Sequence, residues 1–118
     1  AYKVFDNDSV LAFLDINPAN KYHTLVIPKQ EYKNIFDIPK NTYLEVQKVV
    51  HKICKIYNQK LEIKNLQIIQ SNGVEGQKDA PHFHIHILPR NVGDGNDINW
   101  KVKEYNLENI LEEIKNVT

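Results

Sequence analysis

Between Pro81 and Arg90 the chain reads PHFHIHILPR, and this alternation constrains the fold more than any other feature. Side chains on a β-strand point to opposite faces in turn, so a period of two gives each face its own residues. Phe83, Ile85 and Ile87 fall on one face, and His82, His84 and His86 on the other. An apolar face has to be buried, so the strand is predicted to rest on a core and to present three imidazoles on its opposite side. Only five histidines occur in 118 residues, so three within five positions are not scatter.

The rest of the chain supplies a sheet for that strand. YKVFDNDSVLAFLDI reads as two short strands around the turn Asp6-Asn7-Asp8-Ser9. INPAN breaks the second, because Pro18 has no amide proton for a ladder. HTLVIP is a near-continuous apolar strand from His23 to Ile27, ended by Pro28. A long helix is predicted from Thr42 to about Gln59, with TYLE as a capping box in which Thr42 is the N-cap and Glu45 the third helical residue. Tyr43, Val46, Val49, Val50, Ile53 and Tyr57 form its apolar stripe, and His51, one step off it, reads as an ordinary surface histidine. NLQIIQ (65–70) is a further strand, NGVEG and VGDGND are loops, and LENILEEI is a short amphipathic helix. Strands in consecutive runs with helices outside them imply one α+β domain over 1–118: an antiparallel sheet of about five strands, one long helix and a short C-terminal helix.

Charge and cysteine content narrow the function. Lys plus Arg and Asp plus Glu number 15 each, which argues against binding nucleic acid or an anionic membrane by bulk electrostatics. The single cysteine, Cys54, permits neither an internal disulfide nor a CxxC metal pair. No apolar run approaches the ~20 residues of a bilayer span, and no signal peptide is visible, so a reducing cytoplasmic setting is expected. The chain starts at Ala1 and has no Met, which suggests that a native N-terminal segment is missing.

On the residues alone three readings of the histidine face compete. It is a polar sheet face that happens to carry histidines, a zinc site of neutral imidazoles, or a phosphate-chemistry site. The zinc reading lacks a carboxylate or cysteine partner in the same segment. The phosphate reading leads, because clustered imidazoles resist simultaneous protonation, leaving one neutral to attack while another holds a proton.

HFHIHIL resembles the signature of the histidine triad (HIT) hydrolases and transferases, and LAFLDINPANKYHTLVIPK (11–29) resembles that family's N-terminal segment. The two motifs stand in the family's order, and the resemblance covers nearly the whole chain. It implies a HIT-like fold and assigns roles. His84 is the expected nucleophile at the α-phosphorus of a nucleotide, forming a nucleotidyl-histidine that water cleaves. His86 is expected to bind the phosphate and handle leaving-group protons, His82 to support the phosphate pocket, and His23 to back the triad from the neighbouring strand. Asp15 is expected to reach the ribose hydroxyls and Ile16 to wall the base pocket. Ser71, Asn72 and Gln77 are further nucleotide-binding candidates. No catalytic metal or other cofactor is implied, although zinc could settle adventitiously on the histidines.

Departures from the family pattern also matter. GQKDAPH carries one residue more than usual between Gly76-Gln77 and His82, so the parts played by Gln77, Lys78 and Asp79 stay open. Asp79 falls where a small hydroxyl residue commonly steadies the phosphate. The Cys-containing zinc segment that begins many relatives is absent here. The last motif residue is His86 and not Gln, which disfavours the nucleotidylyltransferase branch. The expected activity is hydrolysis of purine nucleoside 5′-phosphoramidates by a homodimer, with diadenosine polyphosphates as the alternative substrates. A nucleotide- or zinc-binding module with incidental activity is the alternative of a different class.

Overall fold

The computed structural model describes residues 1–73, 81–96 and 100–118. It contains strands β1 (Lys3–Asp6), β2 (Val10–Leu14) and β3 (Thr24–Pro28), helix α1 (Lys40–Leu61), strands β4 (Leu66–Ile69) and β5 (Ile85–Pro89), and helix α2 (Leu107–Val117). The five strands form one antiparallel sheet in the order β1-β2-β3-β5-β4. This is the α+β architecture expected from the sequence.

Local chemistry explains most of the joints. The Asn7 side-chain oxygen accepts the amide protons of Ser9 (2.9 Å) and Val10 (2.8 Å), which folds the β1–β2 turn. The long helix starts earlier than TYLE suggests. Pro39 is extended (φ −64°, ψ 147°) and takes the N-cap position without a side-chain cap, so Thr42 lies within the first turn. The Pro39 carbonyl accepts the Tyr43 amide at 2.9 Å. A fixed φ near −65° already suits helix entry, and that outweighs the weaker local signal of the capping box.

Helix α1 covers one face of the sheet. Val46, Val49, Val50, Ile53 and Tyr57 are buried against Val10, Ala12, Val26, Phe83, Ile85 and Ile87. The core is pinned by a polar contact as well. Thr24, fully buried, lies 2.7 Å from the Tyr57 hydroxyl and donates to the Tyr22 carbonyl at 2.9 Å. Among the described residues no helix covers the sheet's other face, and the imidazoles lie there.

Candidate active site

The pairing register brings the site together. Leu25 on β3 pairs with Phe13 on β2 and with His86 on β5. Directly paired residues share a face, so Phe13, Leu25 and His86 stand in one row, with His23 and Ile27 two positions either side of Leu25. Thr24, Val26 and Pro28 therefore point at α1, and all three are buried. A cleft of about 840 Å³ opens over the other face, lined by Phe13, Asp15, Asn17, Ala19, Leu25, Ile27 and the four histidines His23, His82, His84 and His86. That volume falls within the roughly 300–1,000 Å³ typical of small-molecule sites.

The histidines do not all sit on the ladder, as one continuous strand would have required. Pairing in β5 begins at Ile85, so His82 and His84 precede it. Partners run out there: β3 contributes its last β5-paired residue, Val26, opposite Ile85, and β4 pairs no further than Ile69 opposite His86. The segment is held instead by the Phe83 amide, which donates to the Tyr32 carbonyl at 2.7 Å. Alternation nonetheless persists, with Phe83 buried at 1% exposure and its histidine neighbours lining the cleft.

Hydrogen bonds fix which nitrogen carries each proton. A carbonyl can only accept, so His84 Nδ1, 2.7 Å from the His82 carbonyl, bears the proton. The lone pair of a neutral His84 is then on Nε2. A backbone amide can only donate, so His23 Nδ1 accepts from Ala19 at 3.0 Å. The proton of neutral His23 is thereby on Nε2, which lies 2.9 Å from His86 Nδ1 and donates to it. His86 in turn carries its proton on Nε2. The His84 and His86 rings meet edge to face, with centroids 4.8 Å apart.

The other candidates are placed unevenly. Asp15 lines the cleft, its Oδ2 lying 3.7 Å from His23 Nε2 and its Oδ1 accepting the Asn17 amide at 2.8 Å. His82 is exposed, with Nδ1 3.9 Å from a Glu31 carboxylate oxygen. Ile16 is 77% exposed and is not among the cleft residues. Asn72 is committed elsewhere: it exchanges amide hydrogen bonds with Gln70 (2.7 Å each) and accepts the Ile35 amide at 2.7 Å. Ser71 lies beside that pair, half-buried. Gln77, Lys78 and Asp79 lie outside the described residues. Phe13, Leu25 and Ile27 were not singled out in the sequence, where HTLVIP reads as continuously apolar; the signal that would have found Leu25 and Ile27 is the period of two along that strand.

Among the described residues Asp15, His23 and His86 bring possible ligand atoms within 4.8 Å of one another. His23 Nε2 and His86 Nδ1, however, share the His23 proton, which a metal ion held by those two nitrogens would have to displace.

Comparison with known proteins agrees with this geometry. The HIT domain family model matches residues 1–93. An uncharacterized HIT-like protein of Methanocaldococcus jannaschii is 39% identical over 95% of this chain and 87% of its own length. The adenosine 5′-monophosphoramidase HNT1 of Saccharomyces cerevisiae is 27% identical over 93% of this chain and 68% of its own. The crystal structure of a HIT family protein from Bacillus anthracis superimposes with a TM-score of 0.87 at 34% identity, over 98% of this chain and 86% of that one. The chain belongs to the HIT family.

Proposed function

We propose that this protein hydrolyses purine nucleoside 5′-phosphoramidates at the α-phosphorus, through a nucleotidyl intermediate on His84. The observation that carries the reading is the 2.7 Å bond from His84 Nδ1 to the His82 carbonyl, which leaves the Nε2 lone pair on a cleft-lining ring. Nε2 attacks phosphorus, the P–N bond to the amine breaks, and its electron pair leaves on the amine nitrogen, which takes a proton from solvent water. The ring gains positive charge as the Nε2–P bond forms, and the Nδ1–H···O=C bond strengthens with it. Water then attacks phosphorus and gives a proton back to solvent, the P–Nε2 bond breaks, the pair returns to His84, and the nucleoside monophosphate departs.

In this reading His86 offers an Nε2–H to a non-bridging phosphoryl oxygen, Asp15 takes the ribose hydroxyls, and Phe13, Leu25 and Ile27 form the apolar wall for the base. The likeness to adenosine 5′-monophosphoramidase HNT1 supports the substrate class. Imidazole N–H groups and backbone amides can neutralise the phosphate charge, so the reading requires no added metal. The test is a substrate panel in EDTA, adenosine 5′-phosphoramidate against diadenosine tri- and tetraphosphate, with wild type and His84→Ala. His84-dependent release of AMP from the phosphoramidate is expected. Preference for the dinucleotides would move the protein to that substrate class, and no turnover with stoichiometric zinc would replace the enzyme by a metal-binding module.

We also infer that the chain pairs with a second copy. None of α2 is buried, and Leu107, Leu111 and Ile114 lie along one side of it, each more than half exposed. The outer side of α1 carries Lys48, Lys52 and Lys55, whereas α2 carries Glu108, Glu112 and Glu113, so α2 of one copy suits α1 of another in charge. Sedimentation should give a dimer that Leu111→Asp converts to monomer. A monomeric wild type would refute the pairing. Among the described residues no helix is long and apolar enough to cross a membrane. We propose a cytoplasmic setting on a different ground, that a reducing compartment suits a chain whose one cysteine is unpaired.

A further inference from the structure

The turn that supplies the Ala19 amide is braced from outside the cleft. Asn96 Nδ2 donates to the Ala19 carbonyl at 3.1 Å. Asn20 Nδ2 donates to the Pro89 carbonyl (2.9 Å) and to Asp94 Oδ2 (2.8 Å). The Asp94 carboxylate also accepts from Arg90 Nε and Nη2 at 2.8 Å each, and from the amides of Asn91 and Asn96 at 2.9 Å. A carboxylate only 6% exposed thus ties Arg90, Asn91 and Asn96 together, and through Asn20 and Asn96 the 19–20 peptide is held to them.

We propose that Asp94 and Asn96 are positioning residues for the triad, acting through the Ala19 amide to lock the tautomers of His23 and His86. The chain of bonds has one direction. Asn96 holds the Ala19 carbonyl, the Ala19 amide holds His23 Nδ1 as an acceptor, and His23 Nε2–H holds His86 Nδ1 as an acceptor. His86 is left able to act only as an Nε2–H donor, the form that binds a phosphoryl oxygen. If the amide moves away, His23 can carry its proton on Nδ1. His86 Nδ1 then loses the His23 proton that it accepts in this structure. The catalytic consequence rests on the hydrolase reading above, whereas the lock itself does not.

The experiment separates the two. Long-range proton–nitrogen NMR of histidine-labelled protein reports which ring nitrogen is protonated. In wild type His23 should show a bare Nδ1 and a protonated Nε2, with the same pattern at His86. Asn96→Ala removes only the bond to the Ala19 carbonyl and leaves the donors to Asp94 in place, so it guards against unfolding of the more disruptive Asp94→Asn. Both variants should show mixed tautomers at His23 and His86, an unchanged His84, and a kcat reduced roughly tenfold or more at similar KM, the scale of a small misplacement of a reacting group. Protonated Nδ1 at His23 in wild type would overturn the lock, as would variants with wild-type tautomers and wild-type kcat. Absence of turnover in wild type would sink the hydrolase reading, and the nitrogen spectra would still decide the lock.

Discussion

Thr24 offers the sharpest test of how the core supports the cleft. Its hydroxyl donates to the Tyr22 carbonyl at 2.9 Å, so the 2.7 Å contact with Tyr57 must be donated by the tyrosine. Thr24→Val keeps the shape and the burial but removes both bonds at a site with no exposure. It orphans the Tyr57 hydroxyl and the Tyr22 carbonyl, and each unpaired buried group costs about 1–3 kcal/mol. The Tyr57 ring is 6% exposed, which leaves its hydroxyl little recourse to water. The expected destabilisation is about 2–4 kcal/mol, or on the order of 10 °C in Tm for a domain of this size. Tyr57→Phe alone should cost about 1 kcal/mol, since the Thr24 hydroxyl keeps one partner. In the double variant only the Tyr22 carbonyl stays orphaned, so the loss should be well below the sum of the singles. Urea titration followed by far-ultraviolet circular dichroism measures all four corners of the cycle. A Thr24→Val loss below about 0.5 kcal/mol, or strict additivity, would refute the coupling of these buried bonds.

Further outcomes can be stated briefly. Phe83→Ala should destabilise by about 3–5 kcal/mol, read as a lowered urea midpoint, because the ring is 1% exposed in the core. The donors around Asp94, Arg90 foremost, hold its carboxyl well below the usual range. Its contribution is therefore present above the ordinary carboxylate pKa near 3.9 and is lost only as pH falls through the lowered value. The difference in urea midpoint between wild type and Asp94→Asn should stay level from pH 7 to 5 and shrink only in strong acid. Burial pushes the Cys54 thiol up, so its reaction with a disulfide reagent at pH 8 should be slower than that of free cysteine and should match it in urea.

How much of this was legible depended on whether a feature is local. The α1 stripe and the Asn7 turn are set by neighbours in sequence, and both were readable. The start of α1 was misread because Thr42 and Glu45 fit a cap, while Pro39 three residues earlier decided the entry. The strand around the triad was drawn too long because alternation shows which face a residue takes, not where its pairing partners end. Leu25 and Phe13 became cleft walls only through the β2–β3–β5 register, a non-local property. His23 was recognisable by resemblance alone. Its bond to His86 spans 63 positions, and the amide that orients it belongs to an alanine.

Register also governs how the site comes into being. A slip of one position along β3 would turn Thr24 and Val26 into the cleft and drive His23 and Leu25 towards α1. No intermediate pairing leaves a partly competent site, because every residue of the strand changes face together. Under the hydrolase reading proposed above, turnover becomes a counter of correctly paired chains: a population with some misregistered sheets would lose kcat in proportion to their number, while the correctly paired molecules keep an unaltered KM.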